Sequence, residues 1–210
     1  MAKPAGRPDA AELTDPDDRS ARFMRSALAI LGETGRTDFT VLEVVERSKT
    51  SLRAFYQRFA TKDELLLALI EQIMTESTSR WRAETAPLPA VPALRLLVDR
   101  LSPPAVSTTQ DSINRGLTFY NDHLAESRPR EYARVLAPLH ELFSDILRRG
   151  IADGVFRPDL AVDATAALLM QSALGVVRLR TLGAELGDVT IDAGHIVDVF
   201  LRGLLQAAGE

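Results

Sequence analysis

The side chains of this sequence that could carry catalytic or metal chemistry are few. His123, His140 and His195 form neither a His-x-x-x-His pair nor a Glu-x-x-His motif, the spacings that bring zinc or di-iron ligands together on helices. Asp192 and His195 would share one helix face, but a pair at this spacing arises easily by chance. The sequence contains no cysteine, which excludes disulfides, thiolate zinc sites and a cysteine nucleophile.

Phosphate-binding and nucleophile motifs are also missing. The sequence has no glycine-rich phosphate loop and no Gly-x-Ser-x-Gly elbow. We therefore expect no catalytic residue, no metal and no cofactor. An enzyme remains the main alternative class, and the absence of these spacings is what argues against it.

The length and composition describe a chain that can bury a core. Its 210 residues fit one large domain or two closely joined ones, and 46% of them are hydrophobic and 26% charged, both near globular averages.

Residues 1–18 are rich in proline and acidic residues and predict a flexible arm, not a signal peptide. The charge-free run Ala164–Val177 falls short of a bilayer span. A cytoplasmic location with no membrane contact is expected.

Charge is distributed unevenly along the chain. The whole sequence carries a net charge of −4, yet residues 19–65 hold nine basic residues against six acidic ones. The basic excess therefore lies in one segment, as expected where a protein binds nucleic acid.

Three helix-start signals follow one another in this basic segment. A first helix is predicted from Arg19, with apolar residues at helical spacing, until glycines end it. Thr40 and Glu43 form a capping box, Ser51 is an N-cap for a helix that runs to Phe59, and Thr61 with Glu64 forms a second capping box. Two short helices joined by about three residues and packed on a first helix make a helix-turn-helix, which lays its second helix in the major groove of DNA.

Residues 40–69, TVLEVVERSKTSLRAFYQRFATKDELLLAL, resemble the DNA-binding segment of the TetR family of bacterial repressors. The resemblance covers roughly 50 residues with the first helix included, and its core is FYQRF-x-x-K-x-x-L. It implies an all-α fold, in which an N-terminal three-helix helix-turn-helix DNA-binding domain is joined to a C-terminal helical ligand-binding and dimerisation domain. The predicted boundaries are an arm at 1–18, the helix-turn-helix at 19–65 and the larger domain at 66–210.

The resemblance also assigns the residues that would contact double-stranded operator DNA. The recognition helix spans Ser51–Gln57, Arg53 can make a bidentate contact to guanine, and Tyr56 and Lys62 contact phosphates. The full predicted set is Thr40, Lys49, Thr50, Ser51, Leu52, Arg53, Tyr56, Gln57 and Lys62. Without the surrounding motif, Lys49, Arg53 and Arg58 would be an ordinary solvated helix face, and Tyr56 could be a core residue.

This sequence departs from the family pattern at the turn, which commonly contains glycine. Here the turn is Ser48-Lys49-Thr50, and Arg53 stands where the family has a second glycine. We expect Lys49 to adopt a left-handed conformation, at a cost of about 1 kcal/mol or more. The extra cations at 49 and 53 mean that the base contacts of other family members do not transfer directly.

The last two helices, predicted at about 160–182 and 190–207, indicate a dimer. No residue of Ala164–Val177 is charged, and a helix that is apolar on all sides must be covered on more than one. The resemblance implies a homodimer through these two helices, which lets two reading heads bind a palindromic site. A helix fully buried in a monomer is the alternative.

The resemblance further implies a pocket for an unidentified small-molecule effector in the C-terminal domain. Binding there would move the fourth helix, predicted at Lys62–Glu84, and thereby the reading heads. Apolar residues with a few polar groups typically line such pockets. The candidates are Phe119, Tyr120, His123, His140, Phe143, Met170 and Gln171. A helical protein-binding adaptor is the remaining alternative, but the first 65 residues would have no purpose in it.

Overall fold

The computed structural model describes residues 16–101, 107–184 and 193–205. Within these ranges the chain forms nine α-helices, and the prediction of an all-α fold is confirmed. In chain order they are α1 (Pro16–Thr34), α2 (Val41–Ser48), α3 (Leu52–Tyr56), α4 (Lys62–Thr85), α5 (Ala90–Leu101), α6 (Thr108–Ser127), α7 (Pro129–Ala152), α8 (Val162–Leu182) and α9 (Ala193–Leu204). The predicted arm at 1–18 and Asp192 lie outside the residues whose side chains are described.

Helix starts in the N-terminal part follow from capping side chains. The Thr40 capping box is present as predicted, and the Ser51 side chain accepts a hydrogen bond from the Ala54 amide. At α4, the Thr61 hydroxyl accepts from the Glu64 amide. The Glu64 carboxylate, however, accepts from the amide of Ala60 instead of that of Thr61. The second capping box is therefore made only in part, with its return bond displaced by one residue.

Helices α1 and α3 differ in extent from their predictions. α1 begins at Pro16, not Arg19, so residues 16–18 are helical and not part of an arm. α5 begins at Ala90, and Pro92 falls in its first turn, where a helix needs no donor from it. α3 ends at Tyr56 instead of continuing to Phe59. The chain tightens there, since the Arg58 amide bonds to the Phe55 carbonyl three residues back at 2.8 Å.

The buried side chains form two cores. The first holds α1, α2, α3 and the first half of α4 together around Phe23, whose ring makes edge contacts with Phe55 at 5.3 Å and with Phe59 at 6.3 Å. It also takes Tyr120 and Leu124 from α6. The predicted domain boundary at residue 65 lies inside α4, which runs through it without a break. The boundary itself stays a prediction.

The second core is built from α5, α7, α8, α9 and the end of α4. Pro138 lies inside α7, and Gly154, at φ +69°, ends the turn that follows this helix. α8 has 21 residues and a mean hydropathy of 1.3, so by length and composition alone it could cross a membrane. Its residues Ala166, Leu169 and Met170 are instead buried in the second core, as in the core helices of many proteins that cross no membrane.

Candidate nucleic-acid interface and effector cavity

α3 has one buried face and one exposed face. Phe55 is fully buried in the first core, while Leu52 and Tyr56 are 44% and 57% exposed. Arg53 is exposed as well. The ring of Phe55 thus anchors a helix whose outer face presents an aliphatic group, a guanidinium and a phenol.

The turn between α2 and α3 is held in a strained conformation. Lys49 has φ 53° and ψ 46° and is the one non-glycine residue with positive φ in the described part of the chain. Its amide bonds to the Glu46 carbonyl at 3.1 Å, and the Thr50 amide to the Val45 carbonyl at 3.0 Å. The predicted left-handed conformation is confirmed, and it costs about 1–2 kcal/mol for a residue with a Cβ.

Thr40 caps the first turn of α2. Its amide donates to Glu43 Oε2 at 2.6 Å, its hydroxyl donates to the same oxygen at 2.8 Å, and the Glu43 amide donates to the hydroxyl at 3.2 Å. The hydrogen bonds from the Thr40 amide and hydroxyl hold the pKa of Glu43 below its usual value. Thr40 is exposed, so this end of α2 is both rigid and open to solvent.

Lys62 begins α4 and fastens it to the loop that follows α1. Its ammonium donates a hydrogen bond to the Thr37 carbonyl at 2.8 Å and lies 5.4 Å from the centre of the Phe39 ring. An ammonium has three N–H groups, so this bond leaves capacity for a phosphate. Lys62 is half-buried, as is Thr50, whereas the other predicted DNA contacts are exposed: Thr40, Lys49, Ser51, Leu52, Arg53, Tyr56 and Gln57.

The seven residues predicted to line an effector pocket do not come together in one place. Tyr120 lies in the first core, where its hydroxyl donates to the Asp63 carbonyl at 2.9 Å. Phe143 and Met170 are buried in the second core. Phe119 and His123 are exposed, and the His140 ring pairs with the Asp163 carbonyl at 2.9 Å.

Gln171 alone among the seven lines a cavity of about 170 Å³ between α4, α6, α7 and α8. Across this cavity Arg178 Nε donates to both carboxylate oxygens of Asp122 at 2.9 Å. Asn121 Oδ1 is buried, and no donor among the described residues bonds to it. The walls are Met74, Thr118, Asn121, Asp122, Tyr132, Leu136, Gln171, Leu174, Gly175, Val177 and Arg178.

Burial also affects the ionisation of Tyr132, which lines this cavity. It raises the pKa of the Tyr132 phenol above its usual value, and the nearby Asp122 carboxylate raises it further. The sequence carries only a weak signal for these residues. Asp122 and Arg178 are 56 positions apart, and nothing local indicates that they meet.

The arrangement defines a class of protein. A short helix with a buried aromatic anchor and an exposed polar face follows a capped helix and a tight turn, and both pack on α1. This is a helix-turn-helix DNA-binding head, joined through α4 and α6 to a helical body that contains a cavity.

Comparison with known proteins identifies the family. Residues 23–69 match the sequence model described as "Bacterial regulatory proteins, tetR family". The chain is 24% identical over 207 residues to the HTH-type transcriptional repressor KstR2 of Rhodococcus jostii (strain RHA1), covering 94% of this chain and 96% of that one. Residues 23–69 therefore form a DNA-binding domain of the TetR family, and nearly the whole chain is similar to a transcriptional repressor.

Solved structures share the fold across the whole body. A transcriptional regulator from Saccharomonospora viridis in complex with choline superimposes with a TM-score of 0.67 at 18% identity, over 90% of this chain and 99% of that one. The regulator FadR from Bacillus subtilis in complex with stearoyl-CoA gives a TM-score of 0.63 at 16% identity, over 90% and 99%. At these identities the likeness concerns the fold alone.

Proposed function

We propose that this protein is a cytoplasmic, non-catalytic repressor that binds a palindromic operator as a homodimer and releases it when a small molecule fills the C-terminal cavity. The observation that carries the proposal is the orientation of α3. Phe55 anchors its inner face, while Leu52, Arg53 and Tyr56 project from the outer face.

Each exposed side chain of α3 suits a part of the DNA. The Arg53 guanidinium matches guanine O6 and N7, Leu52 can contact a thymine methyl group, and the Tyr56 hydroxyl can donate to a phosphate. Because α3 has only five residues, one copy reads few bases. Two copies on an inverted repeat supply the selectivity that one lacks.

Selection of duplexes from a random-sequence pool tests DNA recognition. Wild-type protein should enrich an inverted repeat. Arg53→Ala should relax the preference at one base pair per half-site, a loss of about 1–3 kcal/mol against the wrong base. Tyr56→Phe combined with Lys62→Ala should instead weaken binding to all sequences alike. Enrichment of no motif would contradict the proposal, and unchanged binding by the double variant would remove both residues from the phosphate contacts.

The outer faces of α8 and α9 support the homodimer. Leu168 and Val199 are 62% and 71% exposed, and a Cβ added at Gly203 would meet nothing within 4 Å. Apolar side chains interspersed with small residues allow two helices of a second copy to approach closely. The dimer would bury this face and give α8 its second covered side.

Sedimentation equilibrium tests the dimer. Wild-type protein should sediment as a dimer at micromolar concentration, and Leu168→Glu with Val199→Glu should produce a folded monomer. Leu42→Glu places the same charge on another exposed leucine, in α2, and should leave the dimer intact. A wild-type monomer would overturn this part of the proposal.

The cavity beside Gln171 is the site that we propose for the effector. Its volume of about 170 Å³ is small beside the roughly 300–1,000 Å³ of drug-sized pockets, so it suits a compact molecule. The unpaired Asn121 Oδ1 favours an effector with an N–H or O–H donor, placed among apolar walls. The Asp122–Arg178 pair would orient it at one side.

A library of small donors tests the effector site. A true effector should raise the melting temperature of the protein and dissociate it from the selected duplex. Asn121→Leu should keep DNA binding and lose both responses, while Gln110→Leu on the same helix, away from the cavity walls, should keep them. An effector that acts equally on both variants binds elsewhere.

A further inference from the structure

A groove on the DNA-binding head is lined by Lys49, a predicted DNA contact, and by three arginines to which no role has been given above. It lies between the middle of α1 and the end of α2 and has a volume of about 360 Å³. We call it the basic groove. Its lining residues are Arg22, Arg25, Ser26, Ala29, Arg47, Ser48 and Lys49, so four cations and no carboxylate line it.

Contacts within the protein explain why some of these four cations lie in the groove, but not all of them. Arg47 is paired with Glu33 from the end of α1. Arg47 and Lys49 also lie at the C-terminal end of α2, where helix carbonyls favour cations. Arg22 has neither reason, because it is half-buried on α1 away from both helix ends. Bringing it towards Lys49 costs repulsion, which an anion in the groove would relieve.

Lys49 connects the basic groove to the reading head. It precedes the N-cap of α3 by two residues and holds a left-handed conformation that glycine or asparagine adopts more readily. Strain that persists at one position indicates a function for the residue placed there. A lysine at this turn sets its ammonium beside the groove next to the start of α3.

We propose that the basic groove binds one backbone phosphate of the operator, adjacent to the bases that α3 reads. The inference rests on the proposed function. In major-groove recognition by a short helix, the sugar-phosphate backbone runs past both sides of the inserted helix, and cations there fix its register without reading sequence. The groove thus adds a phosphate contact from α1.

The salt dependence of DNA binding tests this site. With one phosphate per groove and two grooves per dimer, Arg22→Gln with Lys49→Gln should make the slope of log K against log salt less negative by about 1.8. At about 0.1 M salt this corresponds to roughly 60-fold weaker binding, equal for the selected duplex and a scrambled one. Arg80→Gln with Arg130→Gln removes the same charge from exposed sites on α4 and α7 and should leave the slope unchanged.

Lys49→Gly separates a contact with DNA from a structural role. Relief of the left-handed strain should keep or raise the melting temperature, while the loss of the ammonium weakens binding. A folded glycine variant that binds as tightly as wild type would exclude Lys49 from the site.

The failures of this site and of the proposed function are distinguishable. If wild-type protein selects a duplex but the groove variants match the charge-matched control in slope and affinity, the phosphate site is wrong and the proposed function stands. If wild-type protein selects no duplex, the proposed function falls and the phosphate site falls with it.

Discussion

Gly116 lies at a close approach between α6 and the DNA-binding head. A Cβ built on it would lie 2.7 Å from Leu31 Cδ2 on α1 and 3.5 Å from the backbone of Gly35. Real Cβ atoms essentially never come within 3.0 Å of such neighbours. Gly116→Ala must therefore displace the Leu31 side chain or separate the two helices.

The magnitude follows from two opposing effects. Overpacking a close contact costs about 1–3 kcal/mol, whereas alanine in place of glycine inside a helix gains about 1 kcal/mol. Gly116→Ala should therefore lower the free energy of unfolding by up to about 2 kcal/mol. Leu31→Ala removes the methyl group that is too close, at its own cost of about 2–5 kcal/mol. In that background Gly116→Ala should stabilise by about 1 kcal/mol.

Urea unfolding of the four proteins at one fixed chain concentration measures this cycle, because dimer stability depends on concentration. The reversal of sign corresponds to a coupling energy of about 1–3 kcal/mol between positions 31 and 116. If Gly116→Ala had the same effect in both backgrounds, the helices would not touch at this point, and the reasoning would be refuted.

Three further predictions concern the first core and its caps. Phe55→Ala should cost about 3–5 kcal/mol in urea unfolding, and the folded fraction should lose DNA binding because α3 loses its anchor. The hydrogen bond from the Thr40 amide lowers the pKa of Glu43. The Glu43 carboxylate therefore stabilises the fold above its ordinary pKa near 4.5, and this stabilisation is lost as the pH falls through the lowered pKa. Glu43→Gln should then be less stable than wild type at neutral pH and equal to it in acid. Burial raises the pKa of Tyr120 to about 12, so stability should fall between about pH 10 and 12. Tyr120→Phe should remove that loss in alkaline unfolding, and an unchanged pH profile would contradict it.

Features of the DNA-binding head could be predicted because they depend on neighbours in sequence. A threonine with glutamate three residues later specifies its own cap. The two phenylalanines four residues apart, Phe55 and Phe59, identify the buried side of α3. The left-handed conformation of Lys49 follows from the resemblance, because Lys49 stands in a turn that commonly contains glycine in the TetR family. Each inference needed a few residues and the geometry of one helix or turn.

The effector cavity could not be predicted in the same way. Gln171 is one of the seven predicted pocket residues, but its neighbours in the cavity depend on how four helices pack against one another. The Asp122–Arg178 pair joins α6 to α8 across 56 positions, and polar residues on a helix give no sign of a partner at that distance. The basic groove has the same origin, since Arg22 and Lys49 meet only after α1 and α2 pack.

The close contact at Gly116 also indicates how an effector bound in the cavity could change DNA binding. Gly116 and Tyr120 are four residues apart on α6 and so share the side that contacts α1 and the start of α4. Asn121 and Asp122 lie further round the same helix, facing the cavity. Gly116 has no Cβ and already packs against Leu31, so α6 cannot move closer to α1. An effector that displaced α6 in that direction would therefore move the helix-turn-helix instead of being absorbed by loose packing. The effector would weaken the operator complex only to the extent that it binds the displaced arrangement more tightly. Measuring the affinity of the protein for the effector with and without the selected duplex tests this coupling.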